Sequence, residues 1–247
     1  MNNYKLQIEY NGARFCGWQK QEGKRTVQGE LENAFLTLTG ENVTVDGSGR
    51  TDSGVHALGQ VATAKTSKNI PPNNLTKALN DLLASDVRVC KATKVDESFH
   101  ARFSAKRKTY EYVVQVSGKQ SAITHDLLCF HPCVADFDRM KEAANLLIGK
   151  HNFKGFCSAH TNVQSFEREI FEIKIQKSGK KIKFFVTGNG FLYNMVRIIV
   201  GTLLEVGSGK RSLEDVKKAL DLGERKYAGK TMPPCGLYLK KVEYEKK

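Results

Sequence analysis

Long apolar runs are missing from this chain. No segment approaches the roughly 18 uninterrupted apolar residues that a membrane-spanning helix requires, although hydrophobic residues make up 40% of the sequence. A helical membrane protein is excluded and a globular one remains. The opening MNNYKLQIEYNG lacks the basic start and apolar core of a signal peptide, so a soluble cytoplasmic protein is expected. Cysteine is scarce in any useful spacing. Of Cys16, Cys90, Cys129, Cys133, Cys157 and Cys235, only Cys129 and Cys133 are close, and no second pair or nearby histidine doublet completes a zinc pattern. Buried thiols in a reducing compartment are expected, with no nucleophile among them.

Negative charge is in deficit: 26 Asp+Glu stand against 39 Lys+Arg, a net +13. Such an excess draws polyanions through counterion release from phosphates, which makes nucleic acid the leading partner class. At 247 residues the chain holds one large domain or two modest ones.

The periodicities favour two. YKLQIEY alternates as a strand, and TVQGELENAFLTLTG places Val27, Leu31, Phe35 and Leu38 on one helical stripe between a Thr26 cap and a Gly40 stop. ENVTVDGS and VHALGQVATAKT read as extended. PPNNLTKALNDLLAS presents Leu75, Leu79, Leu82 and Leu83 as an apolar helix face, and VRVCKATKV is a strand. From Ala105 a similar order resumes. KTYEYVVQV is a strand, DFDRMKEAANLLIG a helix, and EIFEIKIQKSGKKIKFFVTG a hairpin about Ser178 and Gly179. FLYNMVRIIVGTLLEVG and SLEDVKKALD read as helices, CGLYLKKVEY as the last strand. The expectation is an α+β protein of mostly antiparallel sheets covered by helices, in halves 1–104 and 105–247.

One stretch concentrates chemistry: Asp46 to Ala62, DGSGRTDSGVHALGQVA. A dinucleotide loop needs glycine at its first, third and sixth positions; counted from Gly47 the sixth is Asp52, and no Gly-Lys-Ser/Thr closes a P-loop. Asp52 is then either a turn aspartate bonded to its own backbone or a catalytic carboxylate, with Arg50 two residues away able to favour its ionised form.

GRTDSGVHALGQVA closely resembles the signature of the tRNA pseudouridine synthase A family. YNGARFCGWQKQ, FHARFSAKRKTYEYVV, NGFLYNMVRIIVGTLLEVG and PPCGLYLKKVEY resemble that family's other blocks, in family order over nearly the whole chain. The resemblance implies two RRM-like (ferredoxin-like) halves, the first carrying the aspartate loop, the second completing the active site and dimer, with sheets merging across a central basic cleft. It implies a homodimer that acts on tRNA, isomerising uridine to pseudouridine at positions 38, 39 and 40 of the anticodon arm without metal or organic cofactor. By the same match Asp52 is the catalytic residue, Tyr110 stacks on the target base and helps remove the C5 proton, and Arg197 pairs with the catalytic aspartate. Leu237 lines the pocket, and Arg50 enters the space that the flipped uridine leaves. Whether Asp52 acts as nucleophile at sugar or base, or as general base, stays open.

Each residue has a plainer reading: Tyr110 as a packed strand aromatic, Arg197 as a snorkelling or internally paired charge, Leu237 as a core leucine. His56 and His100 lie in matched blocks and are left outside the catalytic set. Arg14, Lys20, Lys24, Arg25, Lys91, Arg102, Lys106, Arg107 and Lys108 are candidates for a phosphate-binding surface, while Phe15, Trp18, Phe99 and Phe103 are expected at fold positions. Ser53 stands where the family commonly has alanine, and SGKQSAITHDLLCFHPCVADFDRM matches only loosely. Two alternatives accompany this reading: a synthase directed at another RNA such as ribosomal RNA, and a noncatalytic RNA-binding module on the same scaffold.

Overall fold

Alternation in β1 (Asn2–Tyr10) puts Tyr4, Leu6, Ile8 and Tyr10 in the core and leaves Gln7 and Glu9 in water. The computed structural model describes residues 1–133, 136–158 and 163–245. The chain falls into two compact units, Met1–Lys106 with Tyr238–Lys247, and Arg107–Leu237.

In the first unit β1 is followed by α1 (Val27–Thr39), β2 (Val45–Gly47), β3 (His56–Thr66), α2 (Pro72–Leu82) and β4 (Val87–Val95). Thr26 caps α1 by accepting from the Gly29 N–H, and Gly40 ends it at φ 72°, where glycine carries no Cβ penalty. Val27, Leu31 and Phe35 are buried on the expected stripe, each contributing about 2 kcal/mol of apolar transfer. β1 pairs antiparallel with β3 (Tyr4 opposite Ala64) and with β4 (Leu6 opposite Ala92). β2 adds to β3, and the C-terminal strand (Leu237–Tyr244) runs parallel to β3 with Tyr238 opposite His56. Helix α2 packs on β4 through Leu75 and Leu79. Leu82 departs from expectation and is 45% exposed: the helix ends there, and the extended backbone at Leu83 turns that side chain inward instead.

The second unit contains all but the first two residues of β5 (Ala105–Gln115), then β6 (Cys129–Phe130), α3 (Phe137–Leu146), β7 (Gly149–Asn152), β8 (Glu167–Ser178), β9 (Lys181–Gly188), α4 (Met195–Gly207) and α5 (Leu213–Asp221). Its strands run in the order β5, β9, β8, β7, all antiparallel, with short β6 parallel to β5. The β8–β9 hairpin closes with Ser178 opposite Lys181, and Gly179 supplies φ 57° in the two-residue turn. Ser212 and Asp215 form a capping box at α5. Helix α4 begins at Met195, later than its apolar pattern suggests, because Asn194 sits at φ 61° and the chain before it is not helical. Nearly all of α4 is buried, against α3 on one side and against the segment around Lys230 on another. A Cβ on Gly201 would meet the Lys230 carbonyl at 2.0 Å, so only glycine permits that approach.

The mixed α+β class with mostly antiparallel strands agrees with the periodicity. Further expectations about single residues do not hold. Cys16 and Cys90 are exposed thiols, on a surface loop and on the outer face of β4. Phe103 is 76% exposed instead of packed.

Candidate active site

The loop that leaves β2 is clamped from several sides. Ser48, fully buried, donates from Oγ to Gln60 Oε1 at 2.7 Å, and Gln60 Nε2 returns a bond to the Gly49 carbonyl at 2.9 Å. Thr51 is gripped twice: its carbonyl accepts from Trp18 N at 3.0 Å, and its Oγ1 lies 2.8 Å from the Tyr10 hydroxyl. Burial pushes the Tyr10 phenol well above its ordinary value, so it stays neutral at physiological pH. The segment YNGARFCGW must come close for this. A Cβ on Gly17 would lie 2.6 Å from the Thr51 carbonyl, and one on Gly12 would lie 2.0 Å from that of Val55. Val55 N–H donates to the Asp52 carbonyl at 3.1 Å, and Gly54 at φ 77° turns the chain between them. The Ser53 hydroxyl donates to the Phe15 carbonyl at 3.2 Å, one more tie between the loop and that segment.

Asp52 is thus a half-buried carboxylate on a loop with little freedom, and Arg50 beside it is exposed. His56 is buried and structural in character: its Nδ1 accepts from Gly12 N at 3.0 Å, and its ring stacks on Tyr238 with centroids 4.7 Å apart.

In the second unit, Tyr110 lies on β5 opposite Val186 and is 8% exposed, edge-on to Phe191 at 5.1 Å between centroids. Arg197, half-buried in the first turn of α4, donates from Nε to the Met232 carbonyl and from Nη1 to Asn194 Oδ1, each at 2.6 Å. Both acceptors are uncharged, so neither bond neutralises the guanidinium. Leu237 is buried where the C-terminal strand begins, after the 3₁₀ turn Pro234–Gly236. The first unit therefore places Arg50 and Asp52 on one loop; the second carries Tyr110, Arg197 and Leu237.

Of the basic candidates, Arg25 is structural. It donates in a bidentate fork to Asp86 (2.7 and 2.8 Å), reaches Glu30 at 3.0 Å and stacks 4.2 Å over the Phe15 ring. Lys20 pairs with Glu32, Lys106 with Glu245, and Arg107 lies over Phe171. Arg14, Lys24, Lys91 and Arg102 are exposed. Phe15 and Trp18 are buried, so they offer no face to a base, whereas exposed Phe103 has the His100 ring at 4.4 Å and Arg102 at 5.6 Å. Ser48, Gln60, Tyr10 and Asn194 had no distinguishing sequence signal, since a buried Gln in a strand or an Asn before a helix is ordinary by type. Among the described residues, no group of three His, Cys, Asp or Glu side chains is placed to hold a metal ion, and no helix is long and apolar enough to cross a membrane.

Comparison with known proteins adds to this geometry. A family described as tRNA pseudouridine synthase matches residues 7–104 and 143–245. The chain is 49% identical over 243 residues to "tRNA pseudouridine synthase A" of Bacillus pumilus (strain SAFR-032), covering 98% of each chain. It is 48% identical over 246 residues to the protein of that name in Anoxybacillus flavithermus (strain DSM 21510 / WK1), with 99% of this chain and 100% of the relative covered. With "tRNA pseudouridine synthase A" of Caldicellulosiruptor bescii the identity is 43% over 244 residues, again 99% and 100%.

Proposed function

The chain belongs to the tRNA pseudouridine synthase family, and on that premise we propose that it isomerises uridine to pseudouridine at positions 38, 39 and 40 in the anticodon stem-loop of tRNA. The observation that carries this reading is the full-length likeness, 49% identity over 98% of the chain, to a protein named for that enzyme.

The reaction breaks the bond from ribose C1′ to uracil N1, turns the detached base and joins C1′ to C5; the proton lost from C5 is matched by one gained at N1. Asp52 is the acting carboxylate, attacking sugar or base covalently or taking a proton from the ribose. Its loop suits the task, because the bonds at Ser48, Thr51 and Val55 fix the backbone on both sides of the reacting group. Arg197 holds Asp52 ionised and oriented, a role supported by its bonds to the Met232 carbonyl and Asn194 Oδ1, which fix the guanidinium through uncharged acceptors. Tyr110 stacks on the target base and assists departure of the C5 proton, Leu237 walls the pocket, and Arg50 enters the stack from which the uridine is flipped.

The two halves, the first bearing the aspartate loop and the second completing the site and a homodimer, act in the cytoplasm, with their sheets merging across a basic cleft that takes the tRNA. The net charge of +13 supports a phosphate-tracking surface. Mapping pseudouridine across all cellular RNA with and without this protein tests the reading. Loss confined to tRNA positions 38 to 40 is expected; loss at ribosomal sites would transfer the same chemistry to another substrate.

A further inference from the structure

We infer that Asn194 is the positioning residue for Arg197, an uncharged clamp that aims the guanidinium without neutralising it. The inference rests on the reading that Arg197 serves the catalytic carboxylate, and it assigns a residue that this reading leaves out.

Three features of Asn194 are unusual together. It is the only non-glycine residue with positive φ among those described, at φ 61° and ψ 6°. Left-handed backbone disfavours a side chain, and asparagine is among the few types that tolerate it. Asn194 also occupies the N-cap position of α4, where asparagine ordinarily accepts from the first-turn N–H groups, yet its side chain makes no such bond. Its amide is spent elsewhere: Oδ1 accepts from Arg197 Nη1 at 2.6 Å, and Nδ2 donates to Ser158 Oγ at 2.9 Å.

That network fixes the amide's sense, since the reverse orientation would set its NH₂ against the guanidinium, donor against donor. Ser158 is tied in turn, its N–H donating to the Tyr193 carbonyl at 3.2 Å. Arg197 then has two fixed points, Asn194 for Nη1 and the Met232 carbonyl for Nε. The left-handed turn brings the amide back over its own helix, three residues before the arginine it holds. Aspartate would accept the same bond, but its charge would compete with the catalytic carboxylate for Arg197. A neutral acceptor is the type that orients and leaves the charge to act.

Three variants, Asn194→Gly, Asn194→Asp and Arg197→Ala, test this with single-turnover kinetics on a tRNA anticodon stem-loop transcript. Glycine adopts φ 61° freely and deletes the amide with its bonds to Arg197 and Ser158. The expected result for Asn194→Gly is a melting temperature near that of the parent, a rate constant about 10- to 100-fold lower, and transcript affinity within about twofold. Asn194→Asp is expected to shift the acidic limb of the rate–pH profile upward, because a partly neutralised Arg197 no longer holds Asp52 ionised, which a merely structural role would not do. An Asn194→Gly rate within about twofold of the parent while Arg197→Ala is inactive overturns the inference and leaves the Arg197 assignment standing. Full activity of Arg197→Ala overturns both. Should Asn194→Gly fail to fold, an unshifted profile for Asn194→Asp overturns the inference by itself.

Discussion

The hydroxyl of Tyr10, at the end of the first strand, lies 2.8 Å from Thr51 Oγ1, one residue before Asp52. Through that contact a strand defined by alternation holds a loop defined by chemistry. Tyr10 Oη is also 3.5 Å from Gln60 Nε2, so the phenol joins the strand, the loop and the buried amide beneath it.

Tyr10→Phe keeps the ring and strips Thr51 of its partner in a buried site. A loss of about 1–2 kcal/mol is expected from the stranded hydroxyl. The loosened loop should lower kcat about tenfold and leave KM for tRNA nearly unchanged. Urea unfolding with steady-state kinetics checks both, and a change confined to KM would count against loop positioning.

Asp52→Asn should abolish pseudouridine formation, measured as release of the C5 hydrogen, and retain tRNA affinity. The amide preserves shape but loses both the negative charge and the basic oxygen that every version of the mechanism needs. Substantial turnover by this variant would remove Asp52 from the reaction.

Arg25 should matter to stability and little to RNA. Its hydrogen bonds hold the Asp86 carboxyl below the ordinary aspartate range. A depressed carboxylate stabilises the fold fully above its unfolded value of about 4, and that contribution is lost as pH falls through the lower folded value. Asp86→Asn should therefore cost about 1 kcal/mol at pH 7, and its deficit against the parent should shrink as pH is lowered below the ordinary aspartate range. Urea midpoints across that range give the test. Arg25→Ala should leave the salt slope of tRNA binding unaltered.

Phe103 is expected to be a contact for RNA. At 76% exposure, with the exposed cation Arg102 beside its ring, it offers a stacking face. Phe103→Ala should weaken tRNA binding about tenfold without lowering the melting temperature, since little of its surface is buried in the protein. Unchanged affinity would return Phe103 to the ordinary exposed aromatics.

Periodicity made the fold class readable. Strands such as β1 and helices such as α1 bury one face, and burial requires spacings of two or about 3.6 that survive in the sequence. Caps were readable for the same local reason: Thr26 and Gly40 act within a few residues of themselves. The short strands β6 and β7 were not, because two and four residues are too few to show a period. The apolar run before α4 suggested helix back to Phe191, and left-handed Asn194 delays its start to Met195.

By itself the sequence determined the α+β class, the family, and the loop that carries Asp52, because these depend on residue order and on spacings along the chain. Only the tertiary structure decided that Gln60 and Tyr10 grip that loop, that Arg25 belongs to Asp86, and that Asn194 gives up capping its helix to hold Arg197. Such pairings depend on which side chains meet after the backbone has turned, and Tyr10 and Thr51 meet across 41 residues that no local pattern connects.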